Sequence, residues 1–253
     1  MDALTHSDNA KRGAPERRRP SWDEFDTLPE LQPDRLVPLH GRAVFIAPHP
    51  DDEVLGMGGL MVRLARLQRK LALIAVTDGD ASHRNSTVWT ADRLRETRPN
   101  ETREALQRLR AYNVDVTRLR FGDGTVGSSE RALQSQIEHL IHADDVVITT
   151  WRFDGHPDHE ATGRAAAAAC VASGAHLVEA PIWAWHDSAP GDTRLPWGRA
   201  RRLSLDASTH ARKRHAIDAF TSQLEDDPSN QQKAVLSDAT LTPWLRPFEI
   251  YLV

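Results

Sequence analysis

Two short stretches of this chain concentrate residue types that can do chemistry: Pro48-His49-Pro50-Asp51-Asp52-Glu53 and Asp154-Gly155-His156-Pro157-Asp158-His159-Glu160. Neutral imidazole and carboxylate oxygen are the non-sulfur ligands that zinc prefers, and a catalytic zinc site uses three protein ligands plus water. A carboxylate left off the metal can take a proton from that water, whose pKa falls from ~15.7 to about 7 on coordination. A further histidine can donate a hydrogen bond to a developing oxyanion. The two stretches together offer more such groups than three ligands require. Which member of the Asp51/Asp52 pair would bind metal, the residue types leave open. A single stretch of this kind reads more readily as a helix cap, because Asp51, Asp52 or Asp158 could accept helix N-terminal N–H groups. Two of them at equivalent positions favour a site.

The elements that must position these loops follow from apolar periodicity. Ala43 to Ala47 is a short continuous apolar run, as expected of a strand buried on both faces. Leu60, Met61, Leu64 and Leu67 recur at helical spacing, and Leu71 to Val76 closes a β-α-β unit. The alternation predicts helices over Thr90–Ala111, Ser129–His142, Ala161–Ala172 and Thr209–Leu224. It predicts strands over Thr117–Phe121, Val146–Ile148, His176–Trp185 and Phe248–Val253. The expected class is α/β: a single Rossmann-like domain with a mostly parallel sheet and helices on both faces. Ligand chemistry then belongs beyond the carboxyl ends of the strands, where both loops lie. Gly56, Gly58 and Gly59 read as close helix–sheet packing, since G-x-G-x-x-G is not matched and the acids would repel a pyrophosphate.

The 253 residues carry a net charge of −4 with 40% hydrophobic content, so nothing asks for nucleic acid or an anionic membrane. No apolar run approaches the ~20 residues of a membrane helix, and residues 1–19 lack a signal-peptide core. Cys170 is the single cysteine, which excludes a four-sulfur metal site and an internal disulfide and suits a reducing cytoplasm. Residues 1–36, with Lys11, Arg12, Arg17, Arg18 and Arg19, read as a flexible or surface-packed extension. Residues 37–253 read as the domain.

Ala47-Pro48-His49-Pro50-Asp51-Asp52-Glu53, followed by Gly56 and Gly58-Gly59, resembles the signature of the PIG-L (LmbE-like) family of zinc-dependent N-deacetylases. The family's usual form is Ala-His-Pro-Asp-Asp-Glu, so Pro48 is a departure at the strand exit. His156-Pro157-Asp158-His159 is similar to the family's second motif, and Arg98-x-x-Glu101 with Ala105 and Leu109 to its Arg-x-x-Glu helix. Lys213, Ala216, Ile217, Phe220, Ser222 and Gln223 resemble its C-terminal Lys…Ser-Gln segment.

The resemblance implies one Zn2+ per chain on His49, Asp52 and His159, with Asp51 as general base. His156 would steady the oxyanion, oriented by Asp158. Arg98 and Asp123 occupy positions that face substrate in related sugar deacetylases. Trp185 is a candidate stacking platform for a sugar ring, with Trp183 and Trp197 read as core or platform. Asp154 stands where some relatives carry an assisting tyrosine, and Glu53 divides between helix capping and support of the site. The implied reaction releases acetate, or a similar small acid, from an N-acetylated amino sugar such as a GlcNAc conjugate. A small-molecule N-acylated sugar is then the partner, without nucleic acid or a membrane span, and a homo-oligomer stays open. The rivals are a non-catalytic metal- or sugar-binding relative and a metal-dependent phosphoester hydrolase.

Overall fold

The computed structural model describes residues 22–188 and 192–253. The basic cluster Lys11–Arg19 lies outside the described residues. The chain runs through a 3-10 helix (Trp22–Thr27), α1 (Pro33–Leu36), β1 (Arg42–Ala47), α2 (Asp52–Leu55), α3 (Gly58–Arg66), β2 (Lys70–Thr77) and α4 (Ala91–Arg108). It continues with β3 (Val114–Phe121), α5 (Glu130–Leu140), β4 (Asp145–Thr150), α6 (Pro157–Ser173), β5 (His176–Ala180) and α7 (Ala184–Asp187). Then come β6 (Ala200–Ser204), α8 (Ala207–Ile217), α9 (Thr221–Leu224), α10 (Asp238–Leu241) and β7 (Phe248–Leu252).

The strands form one seven-stranded sheet in the order β3-β2-β1-β4-β5-β7-β6. β1 to β5 pair in parallel, while β7 runs antiparallel to β5 and β6. Period-two alternation sends Ala43, Phe45 and Ala47 into a core under α2, α3 and α8. Val44 and Ile46 enter the opposite core against α5 and α6. From β1 the chain winds outward one way through β2 and β3, and from β4 the other way through β5. The gap between the carboxyl ends of β1 and β4 is therefore the topological switch point, where open α/β sheets bind ligands. In-register pairing from Arg42↔Asp145 to Ile46↔Thr149 delivers both chemistry-bearing loops to that gap.

Some boundaries differ from the sequence expectation. The strand predicted over His176–Trp185 stops at Ala180, because Pro181 has no N–H for a ladder and the N–H groups of Ile182, Trp183 and Ala184 bond to Asp154 instead. The Ala161–Ala172 helix begins earlier, at Pro157, with His156 as its cap, so His159 sits in a first helical turn rather than a loop. The Thr209–Leu224 helix splits into α8 and α9, since Glu101 takes the Ser222 N–H and hydroxyl at 2.7 and 2.8 Å. Strand β6 is absent from the expectation because Ala-Arg-Arg-Leu-Ser is short and charged, and its antiparallel pairing with β7 makes it a strand. Residues 22–36 pack on this end of the sheet. Phe25 is buried among Trp185, Trp197 and Phe248, and the Leu31 N–H bonds to the Arg202 carbonyl.

Candidate active site

His49 leaves β1, Asp52 opens α2, and His159 stands in the first turn of α6. Asp52 Oδ2 lies 3.2 Å from His49 Nδ1 and 3.2 Å from His159 Nε2. Ligand atoms around a tetrahedral zinc with bonds of about 2.0–2.1 Å stand roughly 3.3 Å apart, so each of these histidine nitrogens lies at ligand spacing from the Asp52 oxygen. A second observation supports the fit. His159 Nδ1 meets Asp154 Oδ2 at 2.8 Å, and its fully buried Nε2 makes no aligned hydrogen bond, with Asp52 Oδ2 as its neighbour. A carboxylate holding one ring nitrogen fixes the tautomer and leaves the other lone pair directed at a metal. Burial opposes charge on His159, but Asp52 and Asp154 outweigh it and carry the imidazole up to about 9. The pocket is thus electrostatically prepared for a positive group.

His49 turns its other nitrogen, Nε2, to Asp123 Oδ1 and Asp158 Oδ2, both at 3.2 Å. Burial disfavours the charged ring, yet these carboxylates and Asp52 raise its pKa well above the ordinary histidine value. Asp158 Oδ1 and Oδ2 also accept the Val126 and Gly124 N–H groups at 3.1 and 2.7 Å, so the carboxylate is already committed as a support for His49. This corrects the expectation that the Asp158 carboxylate orients His156. His156 is held by the Asp158 backbone instead, with Nδ1 accepting that N–H at 3.3 Å. The bond needs the Nδ1 lone pair, which leaves the proton on Nε2. Burial first, then the neighbouring His159 and His49, push His156 down to about 4, so the ring is a neutral donor.

Asp51 and Asp52 are separated electrostatically. Burial and Asp52 raise Asp51 to about 7, even though Arg98 pulls the other way. Asp52 is also desolvated, but His159 and His49 overcome this and hold it far below the carboxylate range. Two titratable neighbours pushed apart in this way can take different parts in proton transfer. The Asp51 backbone sits at φ 118°, a region that costs a non-glycine residue about 1–3 kcal/mol. The strain is held by the Asp51 N–H on Glu53 Oε2 (3.0 Å) and by Arg98 Nη2 on Asp51 Oδ2 (3.0 Å) and the Pro50 carbonyl (2.6 Å). Glu53 is buried beside Asp51 and is raised to about 8.

Of the three expected substrate contacts, Arg98 and Asp123 border the cavity over the cluster and Trp185 does not. Arg98 is 3% exposed, with its guanidinium on Gly79 O, Pro50 O and Asp51, so it braces Asp51 from the cavity wall. Gly79 is required there, because a Cβ at φ +66° would fall 2.0 Å from Arg98 Nη1. Asp123 does border the cavity, but Oδ2 accepts the Ala81 N–H and Oδ1 faces His49. Trp185 lies in the core edge-on to Phe25 (5.6 Å), because two residues of helix rotate it about 200° from Trp183. Trp183 is the tryptophan at the site, with its indole stacked 6.2 Å from the His156 ring.

The cavity over the cluster is about 220 Å3 and is bordered by Leu55, Ser82, Arg84, Trp183, Gln223 and Leu236 besides the residues above. Asp154 is the group that sequence reasoning left without a role. Its carboxylate holds His159 and also accepts the N–H groups of Ile182 (2.7 Å), Trp183 (2.9 Å) and Ala184 (3.1 Å). Its position in the same loop, five residues before His159, was the available signal.

Among curated relatives, the chain is 25% identical over 238 residues to 1D-myo-inositol 2-acetamido-2-deoxy-alpha-D-glucopyranoside deacetylase of Corynebacterium urealyticum, covering 79% of this chain and 70% of the relative. Among solved structures it is similar to the zinc-inhibited form of teicoplanin deacetylase Orf2, with TM-score 0.63, 21% identity and coverage of 83% of this chain and 96% of that one. The A40926 pseudoaglycone deacetylase Dbv21 follows with TM-score 0.61, 24% identity and coverage of 83% and 95%. N,N'-diacetylchitobiose deacetylase from Pyrococcus horikoshii superposes with TM-score 0.57 at 21% identity, covering 83% of each chain. At these identities the structural likenesses establish a shared fold. The family described as PIG-L: GlcNAc-PI de-N-acetylase matches residues 44–170, half of the chain and both metal-type loops, and the protein belongs to it.

Proposed function

We propose that this protein is a zinc-dependent N-deacetylase that removes an acetyl group from an N-acetylated amino sugar carried on a larger metabolite. The observation that carries the reading is the approach of His49 Nδ1 and the buried His159 Nε2 to Asp52 Oδ2, beside an Asp51 whose pKa lies near neutrality. The names of the relatives, deacetylases of sugar-bearing compounds, support the substrate class. His49, Asp52 and His159 would hold one zinc ion per chain. When bound, zinc supplies Lewis acidity toward the amide carbonyl and the attacking water.

The chain's own groups do the rest. Ionised Asp51 accepts the proton of the attacking water, and its strained backbone and Arg98 keep the carboxylate aimed into the cavity. His156 Nε2–H donates to the oxygen that becomes negative as the carbonyl carbon turns tetrahedral. Protonated Asp51 then returns the proton to the leaving amine, giving acetate and a free amine. Asp158 and Asp123 steady His49, and Asp154 steadies His159.

The test is metal content together with acetate release from a set of N-acetylated sugar conjugates. Asp51→Asn is expected to keep one zinc per chain and lose activity by a factor of roughly 10² or more. His159→Ala is expected to lose the metal. Acetate release that survives exhaustive chelation, or release of phosphate from phosphoesters in place of acetate, would overturn the reading.

A further inference from the structure

A second cavity of about 330 Å3 adjoins the first, and His156 and Trp183 form walls of both. Its other walls include Trp151, Phe153, Ala184 and His186. Trp151 and Phe153 meet edge-to-face at 5.7 Å, and Trp183 and His186 pack at 5.1 Å. Trp151 is buried, whereas Phe153, packed edge-on against it, is 65% exposed at the mouth of the cavity. The opposite wall is rigid, because the buried Asp154 carboxylate fixes the N–H groups of residues 182–184. No Leu, Ile, Val or Met lines the cavity among the described residues. Flexible acyl chains are usually met by branched aliphatic side chains. Planar walls with polar tips match a ring instead.

Resting on the deacetylase reading for which lobe carries the reaction, we propose that this second cavity is a subsite for an aromatic ring on the aglycone of the substrate. The sugar nitrogen and its acetyl group occupy the lobe of His49 and Asp51, and the ring lies past His156 between Trp183 and Phe153. The open side at Phe153 suits this end of the substrate, since an acetyl group terminates whereas an aglycone can continue into solvent. Asp154 then has a double effect: one carboxylate orients His159 and fixes the Trp183 wall.

The experiment is calorimetric binding of the phenyl and methyl glycosides of N-acetylglucosamine, in both anomers, to chelator-treated protein, where no turnover intervenes. The wild-type protein is expected to bind one phenyl glycoside about tenfold more tightly than the matching methyl glycoside. In Phe153→Ala that ratio is expected to fall to within about twofold of unity, and Phe153→Trp to restore it. Equal binding of the two glycosides, no measurable binding of either, or a phenyl preference that survives Phe153→Ala overturns the subsite. So does an advantage for N-octanoyl over N-acetylglucosamine that Phe153→Ala abolishes, which would assign the cavity to the acyl chain. Acetate release in parallel separates the two readings. A phenyl preference without any acetate sinks the deacetylase reading alone, and acetate release without the preference sinks the subsite alone.

Discussion

Asp51 and Asp52 are chemically identical neighbours with opposite fates. Asp52 lies against two imidazoles and is kept ionised, while Asp51 faces desolvation and its charged neighbour and rises to about 7. A base must be ionised to act, so kcat/KM is expected to climb with pH through an ascending limb set by Asp51. A bound dication favours the carboxylate, which moves that limb below the metal-free value of about 7. A pH–rate profile from pH 5 to 8 checks the direction: an activity that falls over this range contradicts the assignment. Asp154 supplies the second residue-scale prediction. In Asp154→Asn an amide N–H replaces an acceptor that faces either His159 Nδ1–H or backbone N–H groups. Zinc affinity, read by chelator competition, is expected to weaken about 10- to 100-fold.

At the scale of elements, helix α6 sets the distance between the two loops. Gly163 lets it lie directly on the end of β4, where a Cβ would stand 2.7 Å from the Thr150 carbonyl and 2.8 Å from the Arg152 nitrogen. These neighbours are backbone and cannot swing aside, so Gly163→Ala is expected to lower stability by about 1–3 kcal/mol in denaturant unfolding. It is also expected to reduce zinc affinity, because displacing α6 displaces His159. Gly59 is a parallel case on the other side. Glu249 from β7 accepts the Gly59 and Leu60 N–H groups at the start of α3 and binds Lys213 Nζ at 2.7 Å, leaving no room for a side chain. Gly56, where a Cβ would stand 2.8 Å from Ile182, and Gly59 therefore serve close packing, whereas a Cβ at Gly58 would meet only ordinary contacts. Pro99 within α4 removes the N–H that Arg95 O would accept, and Arg118 Nη2 approaches that carbonyl at 3.4 Å.

For the whole molecule, a cation at His49, Asp52 and His159 would tie the β1–α2 connection to α6 across the sheet's switch point. Binding to the folded state alone stabilises by mass action, about 2.7 kcal/mol at a hundredfold excess over Kd. Added zinc is therefore expected to raise the melting temperature of chelator-stripped protein by several degrees and to leave His159→Ala unmoved, measured by scanning calorimetry. No described helix is long and apolar enough to cross a membrane, and the sheet edge at β6 is covered by residues 29–31 through the Arg202 pairing.

The residue types, their order and the apolar periodicity by themselves determined the parallel α/β frame, the two loops and the family. Hydrophobic runs buried on both faces and His-Pro-Asp patterns are local properties of the chain. Tertiary structure decided what local pattern cannot encode. The β1–β4 pairing brought distant loops to one gap, and burial separated Asp51 from Asp52. Helical phase exchanged Trp185 for Trp183, and a single carboxylate, Asp154, became the partner of both a histidine and a cavity wall. Partner choice and desolvation depend on neighbours from other elements, and those exist only once the sheet and its helices have closed around them.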